Sequence, residues 1–344
     1  MTDAPIWVVI LAGGVGSRFW PLSTPDRPKQ LLPLVDESPL LVNTVDRLTP
    51  LVPPERTLIL TNASIRAEIG AVVPAVPPEN ILIEPRPAGT AAALAWAARE
   101  ISRRAGPDTV MVCVHADWAI ADAGAFRQSL LAAASVAVAY RSLVTVGIVP
   151  TRPDPGFGYI SPGAEVDKDV FRVDRFIEKP DRVRAAQMVT DGYLWNSGIF
   201  AWRVGDFLRE VQALTPEVAP ALELDGDAFF AAVRTPISVD VGVLERSKRV
   251  LVLPGRFGWD DVGTWGALRR VRPGDPDGNS IHGDVRVRDA RGNVVHAEGT
   301  TVVLYGVSDL VVVTRPGLTL VTTVDRSADL KTLIDSLGRT SQDV

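Results

Sequence analysis

The stretch WVVILAGGVGSRFWPLSTPDRPK, residues 7–29, decides how the rest of the chain is interpreted. Its first six residues are apolar, which predicts a strand buried on both faces. The three glycines that follow predict a sharp turn whose backbone N–H groups can approach an anion. Arg18 and Lys29 then add positive charge to a segment stiffened by prolines. Together these features predict a binding site for a polyphosphate.

Two familiar phosphate loops do not match this stretch. The dinucleotide fingerprint G-x-G-x-x-G would need a glycine where Phe19 stands. The Walker A loop needs Gly-Lys followed by Ser or Thr, and the sequence contains no such combination. The polyphosphate is therefore expected to be held by a different kind of loop.

Composition limits the class of protein. The 344 residues are 46% hydrophobic and 22% charged, which is typical of a folded globular protein. The net charge of −5 argues against binding to nucleic acid. The start of the chain lacks the pattern of a signal peptide, and no apolar run reaches membrane-spanning length. Cys113 is the only cysteine, so neither a disulfide framework nor a thiolate metal site is expected. We expect a cytoplasmic protein that binds no membrane.

Strand and helix patterns alternate along the first two thirds of the chain. This order predicts an α/β fold with a mostly parallel sheet and helices on both faces. The predicted strands are 57–61, 81–83, 110–114, 143–148, 170–177, 237–240 and 250–253, and the predicted helices are 40–48, 91–104, 125–140 and a helix to Thr190 capped by Asp181. Thr90 is the predicted N-cap of the second of these helices.

A turn-rich segment at 273–279 predicts a domain boundary. The expected domains are a catalytic domain at 1–272 and a small β domain at 279–344. Short strands are predicted in the second domain at 284–287, 293–297, 301–307, 310–314 and 319–323, before a helix at 328–337.

A carboxylate is expected beside the glycine turn. In a parallel sheet, ligands bind beyond the carboxyl ends of the strands. Asp117 comes just after the predicted strand 110–114, as the glycine turn comes just after the first strand. Asp117 and the polyphosphate loop are therefore predicted to share one edge of the sheet.

The pattern L-A-G-G-x-G-x-R, followed by a proline-rich segment that ends in P-K, resembles the signature of the sugar-1-phosphate nucleotidyltransferases. Further segments resemble the family's motifs in the same order. They are Glu84-Pro85 with Thr90, Ala116-Asp117, 157–160, 176–180, 194–200 and 261–265. The last two are most similar to the branch of the family that acts on mannose 1-phosphate.

The resemblance implies a fold and a reaction. The fold is a Rossmann-like nucleotidyltransferase domain with a mostly parallel mixed sheet, followed by a small C-terminal β domain that can be a short left-handed β-helix fragment. The reaction is transfer of GMP from GTP to mannose 1-phosphate, giving GDP-mannose and pyrophosphate, with Mg2+ as cofactor. A homodimer is also implied. The isomerase domain of longer relatives is not expected here, so a single activity follows.

The resemblance also assigns roles to individual residues. The catalytic set is Arg18, Lys29, Asp117, Lys179 and Asp261. The nucleotide-binding set is Leu11, Ala12, Gly13, Gly14, Gly16, Ser17, Arg18, Glu84, Pro85, Thr90 and Asp117. The sugar-phosphate set is Gly158, Tyr159, Glu178, Lys179 and Asn196. The metal ligands are Asp117 and Asp261, with Asp260 as an alternative to its neighbour.

This assignment needs no general base, because a sugar phosphate is already ionised near neutral pH. Positioning of two anions and neutralisation of charge would dominate catalysis. None of the three histidines, His115, His282 and His296, lies in an evident catalytic pairing.

The chain departs from the family's pattern at several positions. His115 stands where proline is usual, Trp118 where histidine is usual, and Ala88-Gly89 where a basic residue and asparagine are usual. Two alternatives therefore stay open. One is a nucleotidyltransferase with a different base or sugar, and the other is a catalytically weak regulatory subunit that binds GDP-mannose.

Overall fold

The computed structural model describes residues 4–14 and 16–337, and its contacts divide the chain into two compact units. Unit 1 comprises the chain up to Gly13, Val45–Ala116 and Asp122–Trp259. Unit 2 comprises Gly14–Thr44, Asp117–Ala121 and the chain from Asp260 onwards. The domain boundary predicted at 273–279 stays a prediction. The two predicted domains also include residues 1–3, 15 and 338–344, which lie outside the described residues.

Strands and helices alternate through most of the chain, as the sequence predicts. The strands up to residue 260 are β1 (Ile6–Leu11), β2 (Thr57–Asn62), β3 (Ile81–Glu84), β4 (Val110–His115), β5 (Ala119–Ile120), β6 (Leu143–Ile148), β7 (Tyr159–Asp167), β8 (Val170–Ile177), β9 (Leu194–Arg203), β10 (Val250–Gly255) and β11 (Trp259–Asp260). The helices are α1 (Leu40–Leu48), α2 (Arg66–Val72), α3 (Thr90–Ala105), α4 (Ala123–Tyr140), α5 (Arg182–Thr190), α6 (Val204–Leu214), α7 (Gly226–Ala232), α8 (Leu268–Val271) and α9 (Leu330–Leu337).

Unit 1 is built on a nine-stranded mixed sheet in the order β3-β2-β1-β4-β9-β6-β10-β8-β7. The four strands β3, β2, β1 and β4 are parallel, as are β6 and β10, and the other pairs are antiparallel. The predicted α/β class is confirmed, but the sheet is evenly mixed and not mostly parallel, because β9 lies antiparallel to β4, β6 and β7, and β8 lies antiparallel to β7 and β10. Because Leu11 pairs with His115 and Asn62 with Glu84, the carboxyl ends of the four parallel strands lie at one edge. Glu84 and His115 therefore end their strands at that edge, and Gly13 lies just beyond the end of β1.

The core of unit 1 is close-packed around α3. Its buried face is almost all alanine, and these small side chains allow the helix to approach its neighbours closely. Large aromatic rings fill the rest, and the Trp202 and Phe207 rings stack with centroids 4.2 Å apart. The alanine-rich sequence of α3 is thus explained by packing.

The C-terminal part of unit 2 is a coil of parallel strands. They are β12 (Ser280–His282), β13 (Val285–Arg288), β14 (Val294–Ala297), β15 (Val302–Tyr305), β16 (Leu310–Arg315) and β17 (Leu318–Thr323). Ser280 pairs with Val294 and Val294 with Val311, so the chain makes a complete turn between paired strands. β13 pairs with β15 in parallel, and β17 closes the coil antiparallel to β16. A C-terminal region of parallel strands is therefore present, but its contacts group it with Gly14–Thr44 and Asp117–Ala121 in one unit. Its separation as a domain and the handedness of its coil stay predictions.

Several predicted elements are confirmed to the residue, including α1, β6 and β8, and Asp181 caps α5 by accepting from the Arg184 N–H. Two predictions are wrong. Thr90 is not the N-cap of α3, because Gly89 occupies that position and the Thr90 hydroxyl accepts from the Val239 N–H instead. Residues 237–240 do not form a strand, because the chain enters a π-helical turn at Asp240–Leu244. The strands β5, β9, β11 and β12 were not predicted.

No helix within residues 4–14 and 16–337 is long and apolar enough to cross a membrane.

Candidate active site

The glycine turn ends in unit 2 against the side chain of Lys29. Gly16 has a φ of 67°, a conformation that L side chains rarely adopt, and it precedes a short 3-10 turn at Ser17–Phe19. A Cβ at Gly16 would lie 2.3 Å from the Lys29 Cβ. Glycine is therefore required by both the backbone and the space. A Cβ at Gly14 would have no atom within 4 Å apart from its chain neighbours, and Ser17 and Arg18 are exposed. Val15 lies outside the described residues.

Lys29 contacts two other predicted site residues of unit 2. Its side chain is almost fully buried, with 5% of the residue exposed. Its Nζ donates to Asp117 Oδ2 at 2.8 Å and to the Asp261 carbonyl oxygen at 2.7 Å. These residues come from three distant segments of the chain. A buried ammonium held by two oxygens is a preorganised point charge.

Asp260 and Asp261 have different surroundings although they are neighbours. Asp260 is buried, Arg270 donates to both of its carboxylate oxygens, at 2.7 and 3.2 Å, and the Val262 N–H donates to Oδ1. Asp260 therefore holds the turn together. Burial raises the pKa of Asp261, the positive charges of Lys29 and Arg18 oppose this, and the neighbouring carboxylates add to it. The Asp261 carboxylate accepts only a backbone hydrogen bond among those described, from the Gly263 N–H to Oδ1 at 3.1 Å. The choice of Asp261 over Asp260 as a metal ligand stays a prediction.

The donors in unit 2 fit a divalent cation that arrives with a phosphate ligand. Among the described residues, no three His, Cys, Asp or Glu side chains are grouped as a metal site. Magnesium commonly binds through one or two carboxylates, with substrate phosphates and water completing its shell. Asp117 and Asp261 both contact Lys29 Nζ, one through its carboxylate and one through its carbonyl.

Three predicted sugar-phosphate residues converge in unit 1. The Asn196 N–H donates to the Gly158 carbonyl at 2.8 Å. A Cβ at Gly158 would lie 3.0 Å from Glu178 Oε2 and 3.4 Å from the Asn196 Cβ. Gly158 therefore leaves room for the two polar side chains beside it. Tyr159 is fully buried and its hydroxyl is engaged by the backbone of Asp154, so its predicted role in binding would fall to its backbone.

Lys179 lies beside this group on an unusual backbone. Its φ is 42°, which is uncommon for a residue with a side chain. Its exposed Nζ pairs with Glu178 Oε1 at 2.8 Å. An exposed ion pair of this kind contributes little to stability. The strained backbone therefore points to a role for Lys179 other than folding.

Asp240 belongs to the same group and was missed by sequence reasoning. The Asn196 Nδ2 donates to Asp240 Oδ1 at 2.7 Å. Burial raises the pKa of Asp240. The hydrogen bond from Asn196 and the charge of His115 lower this pKa, whereas the charge of Glu178 raises it further. The local pattern predicts a short strand here, and nothing in that pattern indicates a site residue. Its contact with Asn196 depends on the π-helical turn.

The predicted nucleobase segment is built around Glu84 in unit 1. Burial raises the pKa of Glu84 to about 7. A Cβ at Gly13 would lie 3.5 Å from Glu84 Oε1, so the carboxyl lies next to the end of β1. Leu11 ends that strand, and Ala12 follows it and donates its N–H to the Leu60 carbonyl.

Gly89 stands where the family's pattern usually has asparagine, and the structure gives a reason for the glycine. Its φ is 84°, and a Cβ there would lie 2.3 Å from the Ile237 carbonyl oxygen. An asparagine would therefore overlap the backbone of the following segment. Pro85 is exposed and Ala88 is fully buried.

Comparison with known proteins identifies relatives over nearly the whole chain. A family model described as nucleotidyl transferase matches residues 7–277. Mannose-1-phosphate guanylyltransferase of Salmonella muenchen is 35% identical over 96% of this chain and 72% of its own length. The Escherichia coli (strain K12) protein of the same name is 35% identical over 98% of this chain and 74% of its own.

A solved structure has the same fold. It is described as mannose-1-phosphate geranyltransferase from Thermus thermophilus, and it superposes with a TM-score of 0.89 at 34% identity. The match covers 97% of this chain and 99% of the other. With the glycine turn, the buried lysine and the mixed sheet, these matches show that the chain belongs to the nucleotidyl transferase family.

Proposed function

We propose that this protein transfers GMP from GTP to mannose 1-phosphate and releases pyrophosphate, so that GDP-mannose is formed. The names of the relatives that match over 96% and 98% of the chain support this choice of substrates. The sugar phosphate attacks the α-phosphorus of GTP, the new P–O bond forms in line with the bond that breaks, and pyrophosphate leaves. The nucleophile is already ionised, so no side chain has to remove a proton.

The arrangement around Lys29 carries the proposal. Its buried Nζ, 2.8 Å from Asp117 and 2.7 Å from the Asp261 carbonyl, supports a role in neutralising charge at the reacting phosphates. Phosphoryl chemistry depends mostly on such positioning and charge stabilisation. The N–H groups of Gly13, Gly14 and Gly16, with Ser17 and Arg18, would hold the β- and γ-phosphates.

Members of this family generally use a divalent metal ion. We propose Mg2+ with Asp117 and Asp261 as its protein ligands, because both supply hard oxygen donors. When bound, the ion would neutralise charge on the phosphates. The proposal leaves Asp260 to hold the turn through Arg270.

The sugar phosphate would bind to the group in unit 1. Lys179 would bind its phosphate, and Glu178 and Asn196 would bind sugar hydroxyls, with Gly158 and Tyr159 forming the floor. Asp240 would orient the amide of Asn196 by accepting from its Nδ2. The amide oxygen of Asn196 accepts from the Gly198 N–H at 3.4 Å and would use its second lone pair for a ligand.

Glu84, with Pro85 and Thr90, would bind the base, and Leu11 and Ala12 would line its approach. An ionised carboxylate can accept from two neighbouring N–H groups, as guanine presents them. Because its pKa is about 7, the fraction of Glu84 that can do so rises through neutral pH.

The experiment that tests the function is a matrix of four NTPs against mannose 1-phosphate and glucose 1-phosphate, read as pyrophosphate release with Mg2+. Turnover with GTP and mannose 1-phosphate is expected. Asp117→Ala should abolish it without unfolding, and Asp284→Ala, an exposed acid outside the proposed site, should leave it unchanged. Turnover with another base or sugar would reassign the substrates. Tight GDP-mannose binding without any turnover would indicate a regulatory subunit.

A homodimer and a cytoplasmic location, both implied by the resemblance and the composition, belong to the same proposal. Sedimentation at micromolar concentration tests the first.

A further inference from the structure

The segment that carries Lys29 has little secondary structure of its own. Residues 20–34, called here the lysine segment, contain prolines at 21, 25, 28 and 33. Each proline lacks a backbone donor and interrupts helix or strand. The lysine itself lies on a short 3-10 turn, Lys29–Leu31. Something other than a hydrogen-bonded ladder must therefore hold this segment in place.

Side chains from later parts of unit 2 bind its backbone. They donate to three of its carbonyl groups: Trp265 Nε1 to Trp20 at 3.1 Å, Arg315 Nη1 to Pro21 at 2.8 Å, and Arg272 Nε to Leu34. Arg315 is the last residue of β16, and Arg272 directly follows α8. The lysine segment is thus tied at both ends.

A relay that is buried at its centre connects the two ends and reaches the surface at Arg27 and Glu298, whose side chains are 46% and 28% exposed. Arg272 is 7% exposed and His296 is fully buried, and Arg272 Nη2 lies 3.2 Å from His296 Nδ1. A guanidinium can only donate, so Nδ1 must accept and the imidazole proton must lie on Nε2. Nε2 then donates to Glu298 Oε1 at 3.4 Å. The direction of both hydrogen bonds is therefore fixed by the arginine.

The relay ends on the lysine segment, two residues before the lysine. Arg27 donates to both oxygens of Glu298, at 3.4 and 3.5 Å. Arg272 binds the Leu34 carbonyl at the other end. The lysine is thereby bracketed by two contacts of one connected network.

The charges of the relay agree with this direction. Burial lowers the pKa of His296 far below its ordinary value, and His282 and the Arg272 guanidinium lower it further. Burial alone would raise the pKa of Glu298, but Arg27 and His296 hold it below its ordinary value. At neutral pH the histidine is therefore uncharged and the glutamate is ionised, as the hydrogen bonds require.

We propose that Arg272, His296 and Glu298 are positioning residues for Lys29. They touch no substrate in the proposed reaction and act by fixing the segment on which the lysine lies. The inference rests on the proposed function, because the lysine is assigned its task there. It gives the C-terminal coil a part in catalysis. Misplacement of a reacting group by about 1 Å can reduce a rate by about 100-fold.

The test compares Glu298→Ala with Asp284→Ala, which removes an equal charge from the same coil. We expect Glu298→Ala to lower kcat about tenfold, with KM for mannose 1-phosphate within about twofold. Tm should fall modestly, because the buried His296 Nε2 loses its acceptor, so kinetics are measured well below Tm. Glu298→Gln keeps an acceptor and should recover part of the loss. Adding Arg27→Ala to Glu298→Ala should cause no further loss, because both remove the same contact.

Hydrogen exchange provides a readout that does not depend on activity. The N–H groups of Leu31 and Leu32 bond to Pro28 and Lys29 within the turn. Their exchange should be faster in Glu298→Ala and unchanged in Asp284→Ala. Unchanged exchange together with unchanged kcat would overturn the proposal, as would an equal loss in Asp284→Ala. If the unsubstituted protein turns over no NTP, the proposed function fails, whereas exchange still reports whether the relay holds the segment.

Discussion

Replacing Glu84 with glutamine should stabilise the protein at alkaline pH. Glutamine has nearly the same size but carries no charge, so it removes the ionisation and keeps the packing. Burial is the cause of the raised pKa, about 7 against 4.5 for an ordinary glutamate. The effect should therefore depend on pH in a defined direction.

The direction follows from which state binds the proton. The unfolded chain loses this proton near pH 4.5, whereas the native state keeps it until about pH 7. The free energy of unfolding therefore falls as the pH rises through that window and is constant above it. At about 1.4 kcal/mol for each unit of pKa, the loss amounts to about 3 kcal/mol at pH 8. Glu84→Gln should abolish most of it.

Urea unfolding at pH 5 and pH 8 measures the effect. Between pH 5 and pH 8, the unfolding free energy of the unsubstituted protein should fall by about 2–3 kcal/mol more than that of the variant. Glu68→Gln, an exposed glutamate on α2, is the matched control and should follow the unsubstituted protein. Equal pH dependence in Glu84→Gln and the unsubstituted protein would refute the argument that burial raises this pKa.

Three further predictions concern unit 2. Gly16→Ala places a Cβ 2.3 Å from the Lys29 Cβ on a backbone with φ 67°, so kcat should fall about 100-fold; steady-state kinetics within tenfold of normal would contradict this. Lys29→Met removes the buried charge and should lower kcat by about 100- to 1000-fold while circular dichroism stays native; full activity would exclude the charge from catalysis. His296 has a lowered pKa and faces His282, Arg272 and Glu298, so between pH 7.5 and 5.5 the unfolded chain gains a proton near pH 6.5 that the native state does not. Urea unfolding should show about 1.4 kcal/mol of stability lost over that interval, and less in His296→Asn; parallel pH dependences would contradict the assignment.

Local patterns predicted β1, β2, β4 and β6 well because these strands are buried on both faces. Such strands read as continuous apolar runs, as in β4 and β6, and their bounds follow from the run itself. The capping aspartate of α5 was likewise predicted, since its signal lies within four residues.

The predictions failed where distant segments decide the structure. The Thr90 hydroxyl binds Val239, 149 positions away, so its role cannot be inferred from α3 alone. Asp240 acquires its contact with Asn196 through a π-helical turn that resembled a strand in sequence.

The surroundings of His296, Asp260 and Asp261 could not be predicted for the same reason. His296 has no catalytic partner nearby in sequence, and its relay depends on the close approach of residues 27, 34 and 272. The difference in surroundings between Asp260 and Asp261 also required the structure, because it depends on the guanidinium of Arg270.

The most direct measurement of the central claim follows the phosphorus atoms of GTP. The protein is incubated with mannose 1-phosphate, Mg2+ and GTP labelled at either the α- or the γ-phosphorus. The account predicts that the α-label appears in GDP-mannose and the γ-label in pyrophosphate, in equal amounts. An α-label that stays in guanine nucleotide, or a γ-label released as inorganic phosphate, would contradict it.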